Sequence, residues 1–311
     1  MTEHNIGVDI SKSYLDIYNL STGASGQFDN NPGGFMALAK WLPKEGLRRI
    51  VFEPTGPYHR AFSLALGSKF PLVKVNPLQA RRFAQACGVR AKTDAVDARM
   101  LAQMGAAFNL EPDREPSQEA LALKELRVAR LALTKQSTRL KNRLKTLTVP
   151  LLKRQAGKQA VQVQKQITEI DAEIGMRMSQ DQTTARNMDI LCSVPGLGKV
   201  SAAALLIEMP ELGKLGRKQV ASLAGLAPIN RESGQWRGKA FIQGGRKPLR
   251  DALYMPAIVA MRHNPDLKQK YQTMVAAGKP PKIAIIALMR KLIELANTLI
   301  KNDRKWTQNR A

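Results

Sequence analysis

The chain has 311 residues, with 49 Lys and Arg against 25 Asp and Glu and a formal net charge of +24. That length suits two or three domains, and a hydrophobic fraction of 44% supports a real core. The cation excess makes nucleic acid the leading partner, because phosphates neutralised by Lys and Arg release counterions, and no apolar run approaches the roughly 20 residues of a membrane span.

Residues 5–10 (NIGVDI), 14–20 (YLDIYNL), 25–29 (SGQFD), 49–53 (RIVFE) and 71–75 (PLVKV) are predicted strands. They are β-branched or aromatic and are separated by Gly, Pro, Asn and Ser. The first ten residues lack a basic and apolar leader, so secretion is not expected. Between the strands, GGFMALAKWL and YHRAFSLALGS have helical periodicity. The order predicts a mixed α/β sheet.

Residues 115–185 carry no strand signal. EALALKELRVARLALTKQSTRLKNRLKTL places Leu or Val at three- and four-residue spacing, which predicts one long basic helix. Pro150 interrupts it and a second helix follows over 153–180, giving an antiparallel pair or coiled-coil arm. Residues 186–311 read as mostly helical, with a Gly- and Arg-rich loop at 230–250. The expected domains are 1–112, 113–185 and 186–311. Cys87 and Cys192 are far apart without metal-type spacing, and read as reduced, buried thiols of a cytoplasmic protein.

The charge is uneven. Residues 1–112 carry 13 basic and 9 acidic residues, and residues 113–311 carry 36 and 16. From 124 to 158 there are 11 basic residues and one acid, Glu125. A face so one-signed repels itself unless a polyanion covers it, although a solvated helix face has the same pattern. Arg139, Lys141, Arg143 and Lys145 are the expected phosphate contacts there.

Against this background the scarce acids stand out. Asp9 falls within an apolar strand and Glu53 ends another. If those strands are parallel neighbours, both carboxylates project at one sheet edge. Asp94 and Asp97 are three apart, so a helix puts them on one face. Hard cations such as Mg²⁺ take carboxylate oxygens, and two such ions can stabilise the attacking and leaving oxygens of phosphoryl transfer. Acids in a first helical turn also favour the helix dipole, but a carboxylate inside an apolar strand needs a partner. The four together point to metal binding and to an enzyme that cuts or rejoins nucleic acid.

Two further motifs bear on chemistry. SVPGLGKVSAAALLIEMPEL, residues 193–212, sets a Pro-Gly-x-Gly turn before an Ala-rich helix. Its exposed N–H groups and Lys199 suit a DNA phosphate, as in helix-hairpin-helix proteins, and an ordinary glycine turn fits as well. Ser233 lies among Arg231, Arg237, Lys239, Arg246 and Arg250. A hydroxyl among cations can attack a phosphodiester, though spacing alone does not separate it from any loop serine.

GVDISK, FEPTG, NPLQARRFAQACGVRAKTDAVDARMLA, SVPGLGKVSAAALL and LAGLAPINRESGQWRGKAFIQGGRKPLRDALYMPA follow one another from about residue 5 to residue 300. Their combination resembles the DEDD-type insertion-sequence transposases. That bacterial family includes the Piv-like DNA invertases and the bridge-RNA-guided recombinases. The resemblance implies an RNase H-like (RuvC-like) N-terminal domain whose metal ligands fall on Asp9, Glu53, Asp94 and Asp97. It implies a helical arm and a C-terminal transposase domain, with the serine nucleophile on Ser233. It also implies a bridge RNA that pairs with donor and target DNA, and dimers and tetramers whose active site draws on two protomers. The chain departs from the family after Ser233, where AFIQGGRKPLR replaces a frequent Ser-Lys-x-Gly pattern.

The expected function is therefore a site-specific DNA recombinase or transposase using Mg²⁺ and a phosphoserine intermediate. Its expected partners are DNA, a structured non-coding RNA and further copies of itself, in the bacterial cytoplasm at the nucleoid and with no membrane. Arg231, Arg237, Arg246 and Arg250 join Lys199 and the arm as expected nucleic-acid contacts. The nearest alternative is a hydrolytic nuclease or Holliday-junction resolvase with the same acids, which needs no Ser233. An actin- or sugar-kinase-like ATPase is a more distant one, since GVDISKSYLDIY is similar to a first phosphate loop but no later D-x-G-G-type loop follows. A non-catalytic nucleic-acid-binding protein would explain the charge but not the acids.

Overall fold

A computed structural model describes residues 3–54, 56–89, 94–113 and 117–308, and for Asp94 and Ala95 the backbone alone. The chain forms two compact units, Met1–Pro116 and Ser117–Ala311.

The first unit is a five-stranded sheet in the order β3-β2-β1-β4-β5, from β1 (His4–Ile10), β2 (Tyr14–Asn19), β3 (Ser25–Asp29), β4 (Leu47–Phe52) and β5 (Leu72–Lys74). β1, β2 and β3 form an antiparallel meander, while β4 and β5 join β1 in parallel. All five strands fall within two residues of their predicted bounds. Alternation along them sorts the side chains onto two faces. Ile6, Val8, Ile10, Ile50 and Phe52 meet Phe35 and Leu38 of α1 (Pro32–Trp41) and Phe62 and Leu66 of α2 (His59–Leu66). On the opposite face, Val51 and Val73 meet Phe83 of α3 (Pro77–Ala86) and Leu101 and Met104 of α4 (Asp94–Ala107).

α4 reaches the sheet at a glycine. A Cβ on Gly7 would stand 1.8 Å from the Ala98 carbonyl oxygen and 2.6 Å from the Ala102 nitrogen. Only hydrogen fits, so helix backbone rests directly on β1. At the far end of α4, Arg49 is buried and donates to Gly105 O at 2.6 Å and to Asn109 Oδ1 at 2.7 Å.

The second unit is almost wholly helical. α5 (Gln118–Thr146) and α6 (Pro150–Gln180) pack antiparallel through Leu140, Val163 and Ile167. Leu147 closes α5, and Pro150 opens α6 at a position where proline loses no hydrogen bond. Arg130 pairs with Asp171 and Arg177 with Glu119, which records the antiparallel register. The predicted hairpin is therefore present, and it packs on α7 (Gln182–Cys192) and α8 (Lys199–Glu208).

The core lies among α7, α8, α9 (Arg217–Leu223), α10 (Lys247–His263), α11 (Pro265–Ala276) and α12 (Pro281–Lys301), with Leu205, Leu253, Leu288 and Leu292 at its centre. Two expectations need correction here. The loop predicted over 230–250 is interrupted by short β-ladders and ends early, because Pro248 and Leu249 already belong to α10. Cys87 and Cys192, predicted to be buried, are free and exposed, since each sits at the C-terminal end of a helix. Among the described residues no helix is long and apolar enough to cross a membrane.

The contact at Gly7 is directly testable. Gly7→Ala forces α4 off β1 and lowers stability by about 3 kcal/mol. Gly157→Ala, in the middle of α6 with nothing within 4 Å of the new methyl, raises stability by about 0.5–1 kcal/mol. Denaturant unfolding of the two variants measures both signs.

Candidate active site and nucleic-acid surface

β1 and β4 are parallel neighbours matched from His4↔Leu47 to Val8↔Phe52. Asp9 and Glu53 each follow the last matched pair by one residue. Both are half-buried, and alternation puts them on the face that carries Gly7 and Val51. This is the face covered by α4. Asp97 lies on the fourth residue of that helix, beside the Ala98 carbonyl that touches Gly7. Glu53 and Asp97 line one cavity of about 220 Å³, with Arg81 of α3 on its wall. The fold thus brings Asp9, Glu53 and Asp97 to one sheet face, at the carboxyl ends of its parallel strands.

The Asp94 side chain lies outside the described residues. Among the described residues no three of His, Cys, Asp and Glu form a group that could hold a metal ion. All four predicted ligands are carboxylates, the right donor chemistry for a hard cation, and the side chains of three of them lie among the described residues. A further carboxylate escaped the sequence reading. Asp16 of β2 stands directly opposite Asp9 in the antiparallel register. Its signal was the one used for Asp9, an acid inside an apolar strand.

In the second unit, Ser233 is exposed on a hairpin formed by β7 (Glu232–Ser233) and β8 (Trp236–Arg237), with Ser233 paired to Trp236. Gly234 has a φ of 56°, which suits the first central position of a two-residue hairpin turn. The predicted cations around Ser233 divide into two groups. Arg237 and Lys239 are exposed, and Arg231 stacks 4.7 Å from the centre of the Phe241 ring. Arg246 instead grips Glu211 through both guanidinium nitrogens, at 2.8 and 2.7 Å, and donates to Glu208 O at 2.9 Å. This clamp holds the Glu211 carboxyl below its ordinary range. Arg250 donates to the carbonyls of Gly244 at 2.8 Å and Gly225 at 3.3 Å. These two arginines hold the base of the segment together.

Arg139, Lys141, Arg143 and Lys145 are exposed near the tip of the α5–α6 hairpin. The ion pairs of the hairpin among the described residues use Lys124, Arg127, Arg130, Lys165 and Arg177, so these four remain open to an anion. At its base the environment differs. Glu208 of α8 is buried and pairs with Lys124, while the Arg127 Nε stands 4.0 Å from its other oxygen. Burial pushes the Arg127 guanidinium down from its ordinary value. Lys199 is exposed at the start of α8, after the predicted glycine turn.

A transposase family model, DEDD_Tnp_IS110, matches residues 6–149. A second, described as transposase of the IS116/IS110/IS902 family, matches residues 188–272. The pilin gene-inverting proteins of Moraxella bovis and Moraxella lacunata are each 30% identical over 317 residues, covering 98% of this chain and 98% of theirs. A 43.6 kDa protein of insertion element IS110 from Streptomyces coelicolor is 30% identical over 115 residues, covering 36% of this chain and 28% of that protein.

Replacing Arg139, Lys141, Arg143 and Lys145 together by Gln is expected to weaken nucleic-acid binding. The slope of log affinity against log salt should fall by up to about one unit per lost phosphate contact. Filter binding across a salt series reads this slope, and an unchanged slope would return the hairpin tip to solvent or to a protein interface.

Proposed function

This chain belongs to the IS110 family of transposases, which cleave and rejoin DNA, and from that premise we propose a site-specific recombinase acting through a covalent protein–DNA intermediate. The observation that carries the reading is the match to two gene-inverting proteins along 98% of both chains. Gene inversion belongs to those relatives by name, and for this chain we propose strand exchange of the same kind, as transposition or inversion.

The first unit serves in this proposal as an RNase H-like catalytic domain. Its antiparallel meander followed by parallel strands supports that assignment, as does the placing of Asp9 and Glu53 at adjoining strand ends. Asp9, Glu53, Asp94 and Asp97 would hold one or two Mg²⁺ ions, in keeping with the general metal dependence of DEDD transposases. Bound there, the cation would offset the negative charge that develops on the scissile phosphate.

Ser233 is the proposed nucleophile, and its exposure beside the turn of the β7–β8 hairpin supports this role. The Ser233 Oγ attacks phosphorus and its proton passes to water. The bridging oxygen of the next nucleotide leaves and takes up a proton. In the second step the hydroxyl of an exchanged DNA end attacks the phosphoserine, which restores Ser233 and a phosphodiester. Each step makes one phosphoester bond and breaks one, so no ATP is needed. Arg231, Arg237 and Lys239 would neutralise the phosphate near Ser233. The hairpin tip and Lys199 would hold flanking nucleic acid, including a bridge RNA that pairs with donor and target DNA, within dimers that assemble to a synaptic tetramer.

The decisive experiment compares two variants in Mg²⁺. Ser233→Ala should bind DNA normally but lose both strand exchange and the protein–DNA adduct seen on denaturing electrophoresis. Asp9→Asn should lose the same reaction with little loss of folding. Cleavage by Ser233→Ala at near wild-type rate without an adduct would make water the nucleophile and replace this reading with a hydrolytic nuclease.

A further inference from the structure

Asp16 lies in the middle of β2, half-buried, and directly faces Asp9. Opposed residues of an antiparallel pair project to the same face, with Cβ atoms about 4.5–5.5 Å apart, and like charges in that relation repel. Leu15 and Ile17 on either side of Asp16 point into the core with α1 and α2. Asp16 therefore projects to the face where α4 begins. The side chain is half-buried there, so part of the carboxylate faces protein and part faces water.

Two surroundings show how this carboxylate is held. Gln27 stands opposite Asp16 in β3, and its Nε2 donates to Asp16 Oδ1 at 2.9 Å. That bond favours one orientation of the carboxylate. Beside it opens a recess of about 480 Å³ lined by Asp16, Tyr18, Gln27, Val96 and Arg99. The recess gives water access to the carboxylate, and Arg99 leans across the Tyr18 ring at 6.0 Å.

We propose that Asp16 is a positioning residue for the divalent cation, adding its charge to that of Asp9 and orienting the cation's water shell without replacing any of the four ligands. The proposal rests on the reading of Asp9 as a metal ligand. Magnesium keeps several of its waters when bound to proteins, and groups behind the direct ligands commonly tune affinity. Asp16 suits that place, since the strand register fixes it beside Asp9 and Gln27 holds it from behind.

The test uses the full chain, stripped of metal, with thermal unfolding followed across a Mg²⁺ concentration series. Asp16→Asn keeps the shape of the side chain and an oxygen to accept from Gln27. The midpoint of Mg²⁺ stabilisation should rise about tenfold, while the metal-free Tm stays at or above that of wild type. A residue that only packs would leave the midpoint in place, so an unchanged midpoint overturns the proposal. If Asp16→Asn does not fold, Asp16→Glu and Asp16→Gln give the same comparison, being matched in size and different in charge. A weaker midpoint for Asp16→Gln supports the role, and equal midpoints overturn it. Asp9→Asn should abolish the stabilisation. A wild-type response from Asp9→Asn would instead overturn the four-carboxylate reading, and the role of Asp16 with it.

Discussion

The constraint on which the first unit depends is the contact of α4 with β1 at Gly7. Side chains usually separate a helix from a sheet, and here a missing side chain removes that separation. Aspartate has a short reach. For a carboxylate on α4 to share a site with carboxylates on strand ends, the helix backbone must come down to the sheet. Gly7, two residues before Asp9 on the same face, allows this. Arg49 anchors the other end of the helix through Gly105 and Asn109, so α4 is fixed at both ends and its first turn is aimed at the carboxyl ends of β1 and β4. Of the chain's many cations, the buried Arg49 takes part in this arrangement, and the close approach itself is made by glycine and backbone.

In the second unit, charge has two uses that composition does not separate. Arg246, Arg250, Arg127 and Lys124 bind carbonyls or carboxylates of the protein itself. Glu294 is likewise buried among Arg217, Arg290 and Lys291. Such groups are held in place because an uncompensated buried charge is strongly destabilising. The cations at the hairpin tip have no comparable partners among the described residues. The field available to an external polyanion is therefore concentrated at fewer places than a net charge of +24 suggests.

Much of this was legible in the sequence, for identifiable reasons. The five strands could be read because alternation and turn residues mark them locally. The hairpin could be read because its Leu and Val spacing runs over many turns and Pro150 marks its bend. The parallel pairing of β1 with β4 was readable only as a condition, because it joins segments some forty residues apart and no local signal sets it. α3 was missed because PLQARRFAQA carries only two large apolar residues, Leu78 and Phe83. Asp16 carried the same signal as Asp9, an acid inside an apolar strand, but only the register of β1 with β2 sets the two opposite each other. The division of the arginines around Ser233 was also invisible, because Glu211 and the carbonyls of Glu208 and Gly225 that engage them come from other segments. The cysteines were misread because exposure depends on helix ends rather than on residue type.

The hairpin of α5 and α6 has a mechanical side. From Arg127 to Thr146 the helix rises roughly 30 Å at about 1.5 Å per residue. The buried Glu208 grips it at one end, and the basic residues sit at the other. Such a shape is a lever with its fulcrum at an ion pair. A tilt of about 10° at the base would carry the tip through about 5 Å, which exceeds the roughly 3.4 Å of helix axis that each base-pair step of B-DNA occupies. A change of packing too small to disturb the core of the second unit would thus be amplified, where the cations are, into a shift longer than one base-pair step along a DNA axis.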